Sequence, residues 1–202
     1  MKVSVVIPVY NQESLIERAI RSIPRRDDIE TIVIDDGSTD DTWNKVLTIR
    51  EELDDPNFII LHNVKNMGVG YTVNRGLDIA EGEYIVLLGS DDYFYTDEFL
   101  KAMEQLDGTD LVYFDLKVND GSILKLTEES KRNLCGSTKF MRREFIGDTR
   151  NPDLRQGEDW FFYGDLLKKN PSERFTHLLV KHYNFPRKGS LTDIAVHGTK
   201  ES

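Results

Sequence analysis

The sequence predicts an α/β fold, a Rossmann-like and mostly parallel sheet flanked by helices with an antiparallel C-terminal portion, and three observations carry this expectation. Apolar runs without polar alternation occur at 3–9, 30–34, 58–61 and 84–88, the pattern of strands covered on both faces. Stretches with helical spacing of apolar residues separate these runs, and such alternation argues for right-handed parallel crossovers. Two of the runs end in paired carboxylates, Asp35-Asp36 and Asp91-Asp92, at the strand ends beyond which ligands bind in such sheets.

In order, 3–9 reads as the first buried strand, ended by Pro8, which lacks a ladder donor. Asn11 is the expected cap of a helix that turns Leu15, Ile16, Ala19, Ile20 and Ile23 inward and Glu13, Glu17, Arg18 and Arg21 outward, until Pro24 stops it. After the strand at 30–34, Ser38, Thr39 or Asp40 can cap a helix with Trp43, Val46, Leu47 and Leu53 on one face. The strand at 58–61 leads to a helix carrying Val73, Leu77 and Ala80, and then to the strand at 84–88. Thr96 is the expected cap of the next helix, with Asp97 and Glu98 in its first turn and Phe99, Leu100, Met103 and Leu106 inward.

The rhythm then changes. Runs at 111–118 and 122–126 flank Asn119-Asp120-Gly121, a turn signal for an antiparallel hairpin. Residues 131–155 are polar without clear period and read as a loop region with one short helix near 140–145. A further helix runs from 156 to about 169, before Pro171, and 175–185 reads as a late strand. The expected organisation is a single domain over 1–192, with a ligand-binding half at 1–100 and an acceptor-side half at 101–192, followed by a loose tail at 193–202.

A formal net charge of −10 argues against phosphate-backbone binding, so no nucleic-acid partner is expected. The single cysteine, Cys135, excludes an internal disulfide and a thiolate zinc site, and reads as a small buried hydrophobe. The apolar run at the N-terminus is too short for a signal peptide and is interrupted by proline. No stretch approaches the roughly 18 apolar residues of a membrane span. A reducing, cytoplasmic setting is expected, with peripheral membrane contact left open.

Carboxylates gathered at a sheet edge favour a hard divalent cation, Mg²⁺ or Mn²⁺, and such ions usually accompany a phosphorylated substrate. An Asp-rich turn that merely caps the next helix is the plainer alternative. Gly89 and Ser90 have side chains small enough to let a ligand approach the backbone. Other signatures fail. Gly68-Val69-Gly70 lacks the third glycine of the dinucleotide fingerprint and does not follow the first strand. There is no P-loop, and glycine stands at position 37 where aspartate-nucleophile phosphatases carry a second aspartate. His62, His177, His182 and His197 lack metalloprotease spacing and read as surface or packing residues.

What remains is an ordered set: Val5-Val6-Ile7-Pro8-Val9-Tyr10-Asn11, Val33-Ile34-Asp35-Asp36-Gly37-Ser38-Thr39-Asp40, Asn74-Arg75-Gly76, Gly82-Glu83-Tyr84-Ile85, Ser90-Asp91-Asp92 and Gly157-Glu158-Asp159-Trp160. In this order and spacing it resembles the family 2 nucleotide-sugar glycosyltransferases of the GT-A fold. The likeness is strong from residue 2 to about 100, and beyond that rests on Glu158-Asp159 and on Tyr183 with 187–192. The resemblance implies an inverting, metal-dependent transfer of sugar from a nucleotide diphosphate donor, UDP-linked by preference, to the hydroxyl of a saccharide, lipid-linked or protein acceptor.

Carried over by position, the resemblance gives the base of the nucleotide to the Pro8-Val9-Tyr10 backbone and the Asp36 carboxylate, which suits an imide N–H. Asn11, Asn66, Asn74, Ser90 and Asp91 belong to the same donor set, and Arg187 and Lys188 are candidate diphosphate contacts. Asp92 is implied as the direct ligand of Mn²⁺ or Mg²⁺, with Asp91 touching the ribose or supporting the metal. Members often carry aspartate where this chain has Gly89, so the motif is reduced. Asp159 matches the general base, while Glu158 either shares that role or caps the helix. Two readings from other classes stand beside this one, a non-catalytic nucleotide-sugar binding module and a metal-dependent phosphohydrolase.

Overall fold

The computed structural model describes residues 2–131, 136–154 and 157–185. Its N-terminal half runs β1 (Val3–Val9), α1 (Ile16–Arg21), β2 (Ile29–Asp35), α2 (Thr42–Leu53), β3 (Phe58–His62), α3 (Val69–Ile79) and β4 (Tyr84–Leu87). There follow β5 (Tyr93–Phe94), α4 (Thr96–Met103), β6 (Leu111–Val118), β7 (Ile123–Leu124), β8 (Lys139–Arg142), α5 (Arg143–Ile146), α6 (Glu158–Lys168) and β9 (Glu173–Tyr183). The strands make one sheet in the order β3-β2-β1-β4-β8-β6-β9-β5, with β7 paired to β6.

β1 lies between β2 and β4 and is parallel to both, with Val6 level with Ile32 and Leu87. Because β1 and β4 are neighbours but not successive, the chain reverses its direction of travel across the sheet there, which opens a crevice at the strand C-termini. Val3, Val5, Val6, Ile7, Ile32, Val33, Ile34 and Val86 are buried. Their continuous apolar runs can be covered only with helices on both faces. α3 packs on β1 and β2 so closely that a Cβ on Gly76 would lie 2.4 Å from Val6 Cγ1 and 3.1 Å from Ile34 Cδ1.

The C-terminal half is mixed. β8 is antiparallel to β4 and to β6, β7 is antiparallel to β6, and β5 is antiparallel to β9, whereas β6 and β9 run parallel. From Tyr113 to Leu116, β6 advances three residues while its partner β9 advances six, from Phe175 to Lys181. The surplus is absorbed in a bulged stretch containing His177, whose φ is +55°.

Several local expectations are corrected. The polar stretch expected as loop with a helix at 140–145 contains a strand, β8, before the short helix α5. β5 is a further strand that the sequence pattern does not announce. Asn11 does not cap α1, which begins at Ile16 with no side-chain cap. Thr96 is already helical, and its hydroxyl donates to the Ser22 carbonyl (3.1 Å) instead of capping α4. None of Ser38, Thr39 and Asp40 is the cap of α2, whose N-cap position is Asp41; Asp40 instead accepts the Thr42 amide (3.0 Å) from one residue further out. Leu47 faces outward, and Ile49 joins Val46 in the core. The tail at 193–202 lies outside the described residues.

Gly76→Ala tests the α3 contact. Helix propensity alone would stabilise alanine there by about 1 kcal/mol. The overpacking against Val6 costs about 1–3 kcal/mol, so the net change should be destabilising, seen as a lower urea midpoint. A stabilised variant would show that α3 can lift off the sheet at little cost.

Candidate active site

The C-termini of β2, β1 and β4 stand side by side, and each brings polar residues to the same edge. Asp36 follows β2, and its amide donates to the Val9 carbonyl at the end of β1 (2.8 Å). Its buried carboxylate accepts from Asn63 Nδ2 (2.7 Å) and from the Met67 and Gly68 amides (2.9 Å each). These bonds tie the loop before α3 to β2. The loop can come so near because residue 37 is glycine: its φ is +71°, and a Cβ there would lie 2.5 Å from the Lys65 carbonyl carbon and 2.9 Å from the Asn66 nitrogen. Asn66 is therefore brought to the edge by its backbone.

Asn11 has a left-handed φ of +49° and joins the loops after β1 and β2. Its amide donates to Ser38 Oγ (2.9 Å), and its Oδ1 accepts the Thr39 amide (2.8 Å). Pro8 and Val9 are the last residues of β1, and Tyr10 beyond them is exposed. Asn74 stands apart from the strand ends in its bonding, because its amide group clasps Asn151, accepting from the Asn151 backbone N–H (2.8 Å) and donating to the Asn151 carbonyl (2.9 Å). It thus anchors the segment before α6 to α3. Arg187 and Lys188 lie outside the described residues.

At the end of β4, Ser90 is buried and Asp91 is partly exposed. The Arg18 guanidinium donates to the Asp91 carbonyl (2.6 Å) and lies over the Tyr93 ring, 4.7 Å from its centroid. A Cβ on Gly89 would sit 3.1 Å from Asp91 Oδ1 and 2.9 Å from Asp92 Oδ2, so two carboxylate oxygens converge on one spot. Carboxylate oxygens at this edge are the hard donors that suit a divalent ion taking its other ligands from phosphate and water. Asp92 is the more deeply held of the two carboxylates. It is 2% exposed, its Oδ2 accepts from Lys181 Nζ (2.8 Å), and its Oδ1 accepts the Asn184 amide (2.8 Å). Both oxygens already have partners, and Asp91 is the carboxylate of the two that reaches the surface.

Glu158 and Asp159 are the first residues of α6, after Gly157 at φ +75°. Glu158 turns inward against α3, since a Cβ on Gly70 would lie 3.0 Å from Glu158 Cγ. Burial pushes its carboxyl above the usual range, and the neighbouring Asp159 charge adds to the shift. Asp159 is less buried. Its Oδ1 accepts the Trp160 amide (2.8 Å), and its Oδ2 lies 3.6 Å from where a Gly136 Cβ would be. The N-terminus of α6 is therefore bracketed from both sides. On one side the links run from Glu158 to Gly70 and through Gly68 to Asp36, and on the other from Asp159 past Gly136-Ser137 to Lys181 and Asp92.

Gly136, Ser137, Lys181 and Asn151 were not singled out by sequence pattern. For Lys181 a signal existed, a lone cation inside the apolar run Leu178-Leu179-Val180-Lys181, which demands a buried partner. Of the described histidines, His177 is exposed in the bulge and the other two pack. His62 bonds Asp35 (2.9 Å) and packs on Trp43, and His182 stacks on Tyr93 at 4.7 Å. His197 lies outside the described residues. No described helix is long and apolar enough to cross a membrane.

The model of a family described as Glycosyl transferase family 2 matches residues 4–166. A PGL/p-HBAD biosynthesis glycosyltransferase of Mycobacterium bovis (strain BCG / Pasteur 1173P2) is 30% identical over 197 residues, covering 90% of this chain and 76% of the relative. S. aureus TarS 1-349 in complex with UDP-GlcNAc superposes with a TM-score of 0.81 at 25% identity, over 94% of this chain and 60% of that one. The mannosyltransferase PcManGT of Pyrobaculum calidifontis, in complex with GDP-Man and Mn²⁺, shares the fold with a TM-score of 0.73 at 22% identity, over 93% of this chain and 58% of that one. The chain thus spans less than two thirds of either solved structure.

The buried Glu158 carboxyl gives a pH test. Stability from its neutral form is present below the unfolded value of about 4.3 and is lost as pH rises through the raised folded value. Glu158→Gln cannot ionise, so its Tm relative to wild type should climb between about pH 4 and pH 7. A Tm difference that stays flat across this range would mean that burial does not penalise the ionised form.

Proposed function

This chain belongs to glycosyl transferase family 2 and is a glycosyltransferase, and we propose that it moves a sugar, with inversion, from a UDP-sugar to an acceptor hydroxyl with Mn²⁺ or Mg²⁺ bound beside Asp91. The observation that carries this reading is the bracketing of α6 between Asp36 and Asp92, which sets a carboxylate pair opposite the strand ends that suit a nucleotide diphosphate. Support for the donor comes from the TarS likeness, a protein whose structure holds UDP-GlcNAc.

Asp36 uses three of the about four accepting positions of a carboxylate on its own chain. The remaining one suits the imide N–H of uracil, and the Pro8-Val9-Tyr10 backbone lines the same edge. Asn11, Asn66 and Ser90 shape this pocket through the loops they hold. When bound, a divalent ion would serve as Lewis acid for the charge growing on the diphosphate. Asp91 would hold it, and Arg187 and Lys188 are candidates for the outer phosphate.

Asp159 acts as general base. As the acceptor oxygen bonds to the anomeric carbon, its proton passes to the Asp159 carboxylate, and the bond from that carbon to the diphosphate oxygen breaks, leaving UDP. A single displacement of this kind inverts the anomeric centre. Glu158, turned inward against α3, orients the helix start instead of taking the proton.

Asp159→Asn keeps size and a hydrogen bond but loses the proton-accepting oxygen. Transfer to acceptor should fall by about 10² to 10⁴, while UDP-sugar binding measured by calorimetry is retained. Loss confined to Glu158→Gln would exchange the two roles. Unchanged transfer in both variants, with donor still bound, would sink the general-base mechanism, and a wild-type chain that binds UDP-sugar but turns over none with any acceptor would be a binding module.

A further inference from the structure

We propose that Asn63 is the positioning residue of the base-binding carboxylate: by filling Asp36 Oδ1 it leaves one accepting position, on Oδ2, and so fits the donor site to a base with a single imide N–H between two carbonyls, uracil or thymine, and not to guanine. The inference rests on the donor site proposed above, in which Asp36 meets the base, and names the atom that does so and the residue that aims it.

Asn63 directly follows β3 and is 4% exposed. Its backbone amide donates to the Asp35 carbonyl (2.8 Å), and its side chain has no freedom to turn over. Nδ2 donates to Asp36 Oδ1 (2.7 Å) and to Thr72 Oγ1 (3.1 Å), while Oδ1 accepts from the Arg75 guanidinium. A guanidinium only donates and an ionised carboxylate only accepts, so one orientation of the amide satisfies both neighbours and the other satisfies neither. Thr72 and Arg75 lie one turn apart on the same face of α3, and Arg75 also donates to the His62 carbonyl (3.2 Å). Asn63 thus carries a hydrogen-bonded line from a cation on α3 to the carboxylate after β2. Charge-assisted bonds in such a line strengthen one another.

The consequence falls on Asp36. Its Oδ1 takes two donors, Asn63 Nδ2 and the Met67 amide (2.9 Å), whereas its Oδ2 takes one, the Gly68 amide (2.9 Å). A carboxylate oxygen accepts about two, so Oδ1 is filled and Oδ2 has one position left. Asp36 is 3% exposed, which leaves room for one donor. Uracil offers one ring N–H flanked by carbonyls. Guanine offers a ring N–H with an amine beside it, a pair that calls for both oxygens of a carboxylate, and cytosine presents at the matching nitrogen a lone pair that a carboxylate repels. Without Asn63, Oδ1 would regain a position and the carboxylate could turn, so the base would meet an acceptor without fixed aim.

The test titrates the full chain by calorimetry with UDP, dTDP, GDP, CDP and ADP in the presence of Mg²⁺. Wild type should bind UDP and dTDP about tenfold or more tightly than GDP or CDP. Asn63→Ala should weaken UDP about tenfold and ADP less than about threefold, because adenine has no imide N–H for Asp36; a merely structural role would weaken both alike. Asn63→Asp sets a second carboxylate against Asp36 Oδ1, with Arg75 as the facing cation. Near about pH 8 the two should repel and UDP should bind about tenfold more weakly than to wild type, while near about pH 6 a shared proton restores the bond, leaves Oδ2 an acceptor and returns the affinity to within about threefold. The proposal is overturned if wild type binds GDP as tightly as UDP, if Asn63→Ala loses UDP and ADP equally, or if the deficit of Asn63→Asp is the same at both pH values. The first of these needs no variant, so a substitution that fails to fold does not shelter the proposal. A wild type that binds none of the five nucleotides overturns the donor site and this inference together, whereas one that discriminates the bases as expected but transfers no sugar overturns the transferase reading alone.

Discussion

The continuity of the sheet depends on four residues. β8, Lys139–Arg142, pairs with Tyr84–Val86 of β4 on one side and with Leu111–Tyr113 of β6 on the other, antiparallel to both. Without it both neighbours would present unpaired backbone donors and acceptors in the middle of the molecule, a cost that compact proteins avoid. With it, the parallel half that supplies the strand-end carboxylates and the mixed half that supplies α6 and β9 share one hydrogen-bonded frame. Its position also dictates what comes just before it. Residues 136–138 must run across the C-terminal edge of the sheet to enter β8, and so they pass between Lys181 and Asp159.

The site is therefore assembled by tethers more than by any single element. Asp36 holds the loop before α3, α3 holds Asn151 through Asn74, and Gly70 leaves the room into which Glu158 packs. The first two tethers use a polar side chain to satisfy backbone groups, which costs little to keep and much to lose. This division of labour explains why some residues of the expected donor set, Asn74 and Asn11 in particular, turn out to bond to the chain itself. They hold the loops beyond the strand ends, and loops need such clasps to keep one geometry.

How much of this was legible follows from where the information resides. β1, β2 and β4 were plain because burial on both faces leaves a continuous apolar run, and the carboxylates that follow them stand out against it. Glu158 and Asp159 were found by likeness of motif. β8 was hidden because Lys139-Phe140-Met141-Arg142 begins and ends in cations and carries no strand period, its conformation being imposed by two edges that need a partner. Asn11 and Thr96 misled because good capping residues also bond across loops, and local sequence does not say which partner wins. Lys181 finds Asp92 across 89 positions of sequence, a pairing that only the closed sheet can create.

The bulge between β6 and β9 has a meaning for how such a chain can vary. Side chains on a strand alternate between faces, so the number of residues taken up around His177 decides whether Lys181, Val180 or His182 meets Asp92. Losing one residue there would be equivalent to replacing the lysine, although the lysine codon itself were untouched. Most surface connections absorb length changes freely. Here length carries chemical content, and the bulge, the lysine and the aspartate can be inherited or altered only as a single unit.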